Sequence, residues 1–408
     1  MTTTKPVPGT GGDHYIPYAE RSGAESIVYF TRDLSAEGLL KIFKRISANL
    51  TGKTAIKLHT GEPHGPNIIP RPWVKNLIEK ALPEAAIVET NAYYAGGRDT
   101  TEKHRSTIAL NGWNFCPVDI MDENGTAVLP VKNGKWFTEM YVGKNLLNYD
   151  SLFVLTHFKG HVQGGLGGSD KNIGIGCADG RIGKAMIHTT PGSTNQWDIA
   201  KEEFMERMTE SSKAVVDHFC KNIAFVNVMR NMSVSCDCEG TAAEPVVTPN
   251  VGILASLDIL AIDQASVDLI YAMKESDRKA ERQLSRAGYH ADRGLHECRR
   301  HRGGRAHQCR YLHGEAVRLR QQQLRRGGAG AGRFDDRTHG PGAVLRGGEG
   351  GADLRSRQHQ LYPDCQRRQG PRGGGLPLHL RGRAPGSGDA GISGPAPEHP
   401  HAGVYRPH

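Results

Sequence analysis

Short apolar runs, separated by breaks rich in Gly and Pro, recur along the first 280 residues, with helically spaced stretches between them. Such runs read as buried strands when they span four to eight residues and end in turn signals. The pattern predicts a strand over 25–30, a helix over 36–50, a strand over 54–58, a helix over 73–82 and a strand over 86–89. A Gly-broken turn and a helix follow within 93–110. Residues 118–139 then read as short strands around the hairpin signal Asn133-Gly134. A buried strand over 151–156 enters a Gly-rich loop at 157–184. Beyond it come a helix over 197–220, a strand over 223–228, a short segment at 253–255 and a helix over 261–273. Strand, loop, helix and strand in this order predict an α/β fold: a mostly parallel-sheet body with Gly-rich loops and a small hairpin excursion.

Composition divides the chain. Residues 281–408 hold 23 Arg and 25 Gly, with no Lys, Met, Asn or Trp, and they show no sustained helical or strand period. Residues 1–24 read as a flexible leader, 25–280 as the α/β domain and 281–408 as a disordered, low-complexity tail. The tail's bias toward Arg, Gly and Pro is that of a GC-rich gene translated out of frame. A native basic tail and an extra folded domain are the other readings.

The division changes the meaning of the charge. The whole chain carries +9, but the tail alone carries +12, and residues 1–280 hold 29 basic against 32 acidic residues. Nucleic-acid binding is therefore expected only through the tail. The body's five cysteines, an odd number, fit reduced thiols in the cytoplasm or metal ligands rather than a disulfide framework. Its longest apolar stretch, Val251–Ile262, is short and interrupted by Asp258, so no membrane span is expected.

Candidate chemistry gathers after the predicted strands, where open α/β sheets hold their ligands. The segment Thr156–Lys184 contains nine Gly, and it also carries His157, Lys159, His161, Lys171 and Cys177. Exposed N–H groups around Gly164, Gly165, Gly167 and Gly168 could form an anion nest, with Lys159 and Arg98 supplying charge. His157, His161 and Lys171 are the candidate catalytic groups. Cys236-Asp237-Cys238 places two thiols and a carboxylate in a polar turn beyond the strand at 223–228, and with Cys177 it forms the candidate metal set. An iron–sulfur cluster, zinc, plain thiols and redox chemistry all remain open for this turn.

AIKLHTGE at 55–62, NAYYAGGR at 91–98, HFKGHVQGGLGGSDKNIGIGC at 157–177, GKAMIH at 183–188, SCDCEG at 235–240 and GILASLDILAIDQASVDLI at 252–270 together resemble the DUF362 family. That family is uncharacterised, and its members are often described as iron–sulfur centre proteins. The resemblance implies an iron–sulfur or other metal association, in redox or small-acid metabolism. Many members insert a ferredoxin-like cysteine run, whereas residues 189–215 here contain no Cys. The His- and Gly-rich loop is also remotely similar to that of lactate racemase-type proteins, which points to small-acid chemistry. A non-catalytic binding protein for an anionic small molecule or partner is the alternative.

Overall fold

A computed structural model describes residues 26–193, 198–246 and 248–273, together with the backbone of 15–17 and 311–313. All of these belong to one unit, Met1–Gln366. The expected leader and tail otherwise fall outside the described residues.

The strands are β1 (Tyr15–Pro17), β2 (Ser26–Thr31), β3 (Thr54–Lys57), β4 (Ala86–Glu89), β5 (Val118–Ile120), β6 (Thr126–Pro130) and β7 (Glu139–Gly143). They continue with β8 (Ser151–His157), β9 (Lys159–His161), β10 (Gly165–Gly167), β11 (Ile223–Met229), β12 (Gly252–Ser256) and β13 (Tyr311–His313). The helices are α1 (Ala36–Phe43), α2 (Arg71–Ala81), α3 (Thr101–Leu110), α4 (Ser169–Gly176), α5 (Ile182–His188), α6 (Lys201–Phe219) and α7 (Ile259–Tyr271).

Nine strands form one sheet in the order β1-β13-β2-β12-β11-β8-β3-β4-β5. β11, β8, β3, β4 and β5 are parallel in sequence across it, but β12 runs against both β11 and β2. The mostly parallel-sheet body expected from the sequence is therefore corrected to a mixed sheet within an α/β fold, in which helices carry more residues than strands. The reason lies in β12, whose five residues are all buried. A strand covered on both faces reads as an unbroken apolar run, and that pattern does not encode direction.

The Gly-rich segment also departs from expectation. Residues 157–184 do not form a long loop, because they fold into the β9–β10 hairpin, α4 and the start of α5. Six glycines within Gly160–Gly174 lowered the apparent helical period without preventing a short helix supported by tertiary packing. A second hairpin, β6–β7, turns through Asn133 at φ 56°.

Strand alternation sends side chains to two cores. On one face Ile56, Ile87, Phe153 and Val226 pack under α1 and α2; on the other Ala55, Val88, Leu152, Val154 and Phe225 pack under α4, α6 and α7. β8, buried along its whole length, joins them at the centre. From β3 the chain moves to β4 on one side and later returns as β8 on the other. This reversal opens a crevice at the carboxyl ends of β3 and β8, the place where such sheets take ligands.

Backbones meet closely beside that crevice. A Cβ on Gly160 would lie 2.0 Å from the Val234 carbonyl oxygen, and the Gly160 N–H donates to Ser233 O at 2.9 Å. This contact sets the 233–238 turn against β9. Gly160→Ala should lower unfolding stability by about 1–3 kcal/mol through overpacking. Gly96→Ala, whose Cβ would meet nothing nearer than 4.0 Å, should stay within about 0.5 kcal/mol. Urea unfolding of the two variants beside the parent chain checks the contrast.

Candidate functional site

At the end of β3, a strand buried along its whole length, stands Lys57, which is 1% exposed. An ammonium group in such a place needs a charged partner. It donates to Glu89 Oε2 at 2.8 Å, Leu58 O at 3.0 Å and Asn172 Oδ1 at 3.2 Å. Glu89 closes β4, and its Oε1 accepts from Thr60 N at 2.8 Å with His59 Nδ1 at 3.4 Å. Burial pushes the Glu89 carboxyl up, but Lys57 and His59 together outweigh burial and hold it well below the usual carboxylate range. From α4, Asn172 donates to Thr156 Oγ1 at 2.9 Å and to Leu155 O at 3.3 Å. One amide thus joins the helix to both strands that border the crevice.

A second buried group lies beyond β8. His157 Nδ1 is 2.7 Å from Asp237 Oδ2, and its Nε2 is 2.6 Å from Arg230 O. Both ring nitrogens face oxygen acceptors, so the imidazole is spent on anchoring the turn. Lys159 lies 3.1 Å from Asp237 Oδ2 and donates to His157 O at 2.9 Å. Burial raises the Asp237 carboxyl, yet His157 and Lys159 bring it well below its ordinary range.

The cysteines of this turn point to the same place as His161. One ligand atom from each of His161, Cys236 and Cys238 lies within 4.8 Å of the other two, a candidate metal-ligand cluster. Lys171 Nζ donates to Cys236 Sγ at 3.1 Å. The hydrogen bond from Cys238, aided by Lys171 against burial, holds Cys236 well below the ordinary thiol range. The same bond and burial drive Cys238 well above it, so the pair retains one proton. Burial, with Lys171 nearby, pushes His161 down to about 3 and keeps its ring neutral. Its Nδ1 accepts from Gly164 N at 2.9 Å. A metal would therefore take either that hydrogen bond's lone pair at Nδ1 or the ring proton's place at Nε2.

Two thiols and an imidazole match a mononuclear site with an open position. The two thiols are half the four thiolates of a cubane iron–sulfur cluster. Cys177 does not join them: it caps α4 and is fully buried, and burial pushes its thiol up to about 12. Cys220, at the end of α6, is also outside the group.

The anion-nest residues are placed as follows. Arg98 is buried, with Nε 2.7 Å from Glu62 Oε1 and Nη2 3.0 Å from the Tyr94 hydroxyl. The N–H groups of Ser169 and Asp170, which follow Gly168, donate to Asp263 of α7 at 2.8 and 2.9 Å. Burial pushes that carboxyl up to about 7, although three N–H donors face it. Gly167 packs on the Lys159 side chain, and Gly165 turns the β9–β10 hairpin at φ 71°.

These groups surround a cavity of about 420 Å³. Five of its lining residues are Lys or Arg, namely Lys57, Arg98, Lys159, Lys171 and Lys184; only Glu89 and Glu239 are carboxylates. Lys57, Asn172, Lys184 and His188 escaped the sequence reading. A lysine ending the apolar run TAIK was the available signal for Lys57. Nothing in GKAMIH marks Lys184 as facing a cavity.

Removing Glu89 leaves Lys57 buried and unpaired, which typically costs about 3–5 kcal/mol. Glu89 is lowered in the folded state, so its contribution is complete above its unfolded value of about 4.3 and is lost as pH falls through the folded value. Glu89→Gln should therefore destabilise by that amount at neutral pH, and the gap to the parent chain should narrow below about pH 4. Denaturant unfolding across that range measures both.

No curated protein matches the chain. Among solved structures it is similar to the lactate racemase apoprotein from Thermoanaerobacterium thermosaccharolyticum, at 10% identity and a TM-score of 0.37, covering 61% of this chain and 58% of that one. It is also similar to a protein from Thermotoga maritima, at 13% identity and a TM-score of 0.35, covering 62% and 58%. The chain thus spans less than two thirds of either structure's length. Among the described residues no helix is long and apolar enough to cross a membrane. Residues 54–268, which hold every group of the cavity wall, match the model of the domain of unknown function DUF362, and the chain belongs to that family.

Proposed function

We propose that the cavity is a metal-assisted site for a small organic acid, working in small-acid or redox metabolism. The observation that carries this reading is the convergence of His161, Cys236 and Cys238 on a cavity whose wall also holds Lys57, Arg98, Lys159 and Lys171. Each of these groups already has an anionic neighbour, and what the wall offers an acid is a set of charged N–H donors in low-dielectric surroundings.

Cys236, Cys238 and His161 would hold a zinc-like ion, which when bound supplies Lewis acidity toward a carboxylate or carbonyl oxygen. The donor set favours one ion over a cubane cluster because the group contains only two thiols. The hydrogen bond from Cys238, with Lys171 beside it, favours the thiolate form of Cys236 before any ion arrives. Lys159 and the His157 ring nitrogen hold Asp237, so the turn brings the two sulfurs together without an unpaired carboxylate beside them. The hydrogen bond from Cys236 N to Glu239 at 3.4 Å closes the turn on its other side.

This reading separates from metal-free binding by titration. Reduced, metal-free chain should bind one cobalt(II) ion with thiolate charge-transfer absorption. Cys238→Ser should weaken that absorption, and Cys236→Ser/Cys238→Ser should abolish it. Losing a supporting group such as Lys171 should cost about 10–100-fold in affinity. Failure of the parent chain to take up cobalt or zinc sinks the metal part; a non-catalytic anion site would then remain.

A further inference from the structure

Lys184 lies outside the groups just assigned. It is the third residue of α5, 5% exposed, and its side chain lines the cavity. Its Nζ donates to Thr90 Oγ1 at 2.8 Å and to the Asn91 carbonyl oxygen. Among the described residues no carboxylate lies within ion-pair distance of it, whereas Lys57, Lys159 and Arg98 each have one. Two acceptors match the two N–H bonds of an uncharged amine and leave the nitrogen lone pair pointing elsewhere.

We infer that Lys184 is a covalent-catalysis residue that forms an imine with the carbonyl carbon of a 2-oxo acid bound in the cavity. The inference rests on the cavity's being an organic-acid site and does not depend on a metal. It narrows the ligand to acids with a carbonyl beside the carboxylate. The Lys and Arg N–H donors of the wall hold the carboxylate, and Nζ adds to the neighbouring carbon.

The step balances without an oxidant or reductant. The Nζ lone pair forms the new C–N bond while the carbonyl π pair moves to oxygen. Both Nζ hydrogens and that oxygen then leave as one water, and C=N remains. Burial supports this role, since it pushes the Lys184 ammonium down to about 8 and populates the free amine near neutral pH. Lys57 and Arg98 nearby act in the same direction, and Asp122 and Glu89 against it. Access exists because Val162, 41% exposed, lines the same cavity.

Trapping tests the inference on the full chain. Pyruvate or 2-oxoglutarate is added with sodium cyanoborohydride, which reduces the imine to a stable secondary amine, and peptide mass spectrometry locates the adduct. A single adduct on Lys184 is expected in the parent chain. Lactate, which lacks the carbonyl, should give none. Lys184→Arg keeps a long side chain with N–H donors but has no free amine, and it should lose the adduct, while Lys144→Arg, on the exposed surface, should retain it. Calorimetric binding of the same acids is measured in parallel. Binding without an adduct at Lys184 overturns the imine and leaves the acid site standing. Absence of binding by pyruvate, 2-oxoglutarate and lactate overturns the acid site and the imine with it.

Discussion

The ion pair between Lys57 and Glu89 is the constraint from which the rest of the site follows. Both groups end neighbouring parallel strands, β3 and β4, with 1% and 3% exposure. Placing charges there is costly unless each is fully satisfied, and the surrounding residues are arranged to satisfy them. Thr60 and His59 complete Glu89, and Asn172 and Leu58 complete Lys57. Asn172 then carries α4 to the edge of β8, and α4 carries Lys171 to Cys236. A chain of polar contacts thus runs from the sheet centre to the sulfurs.

The 233–238 turn is held at two levels. Backbone contact with Gly160 sets its distance from β9, and the His157–Asp237–Lys159 cluster sets its orientation. The residues that look reactive in sequence therefore divide by geometry. His157 has both ring nitrogens engaged and acts as a brace. His161, neutral and beside two sulfurs, faces the cavity.

Much of this order was legible in the chain. Apolar runs such as TAIK, AIVE and SLFVLT located β3, β4 and β8, because a buried strand must carry its apolar side chains contiguously. The gathering of polar residues after those runs pointed to the sheet edge at which the cavity lies. Strand direction at β12 was not legible, since burial on both faces erases the alternation that would distinguish an exposed antiparallel strand. The helical state of α4 was hidden by Gly174 and Gly176, whose low propensity is overcome by packing on α6. Partners distant in sequence were hidden as well. Asp263 meets Ser169 across 94 residues, and no local pattern announces such a meeting.

The reversed direction of β12 has an electrical consequence. In a parallel βαβ unit, each helix starts at the strands' carboxyl edge and offers that edge the positive end of its macrodipole. α7 follows β12 after only Leu257 and Asp258, so it starts at the opposite edge and runs back toward the cavity side. Its positive end is neutralised far from the ligand edge by Asp258, which accepts from Leu260 N and Ala261 N. For the acid site proposed above, the donors at the cavity edge are therefore side-chain ammonium and guanidinium groups rather than the start of this helix. The charge lining this edge of the sheet thus resides in single side chains, which substitution can change without rebuilding the backbone.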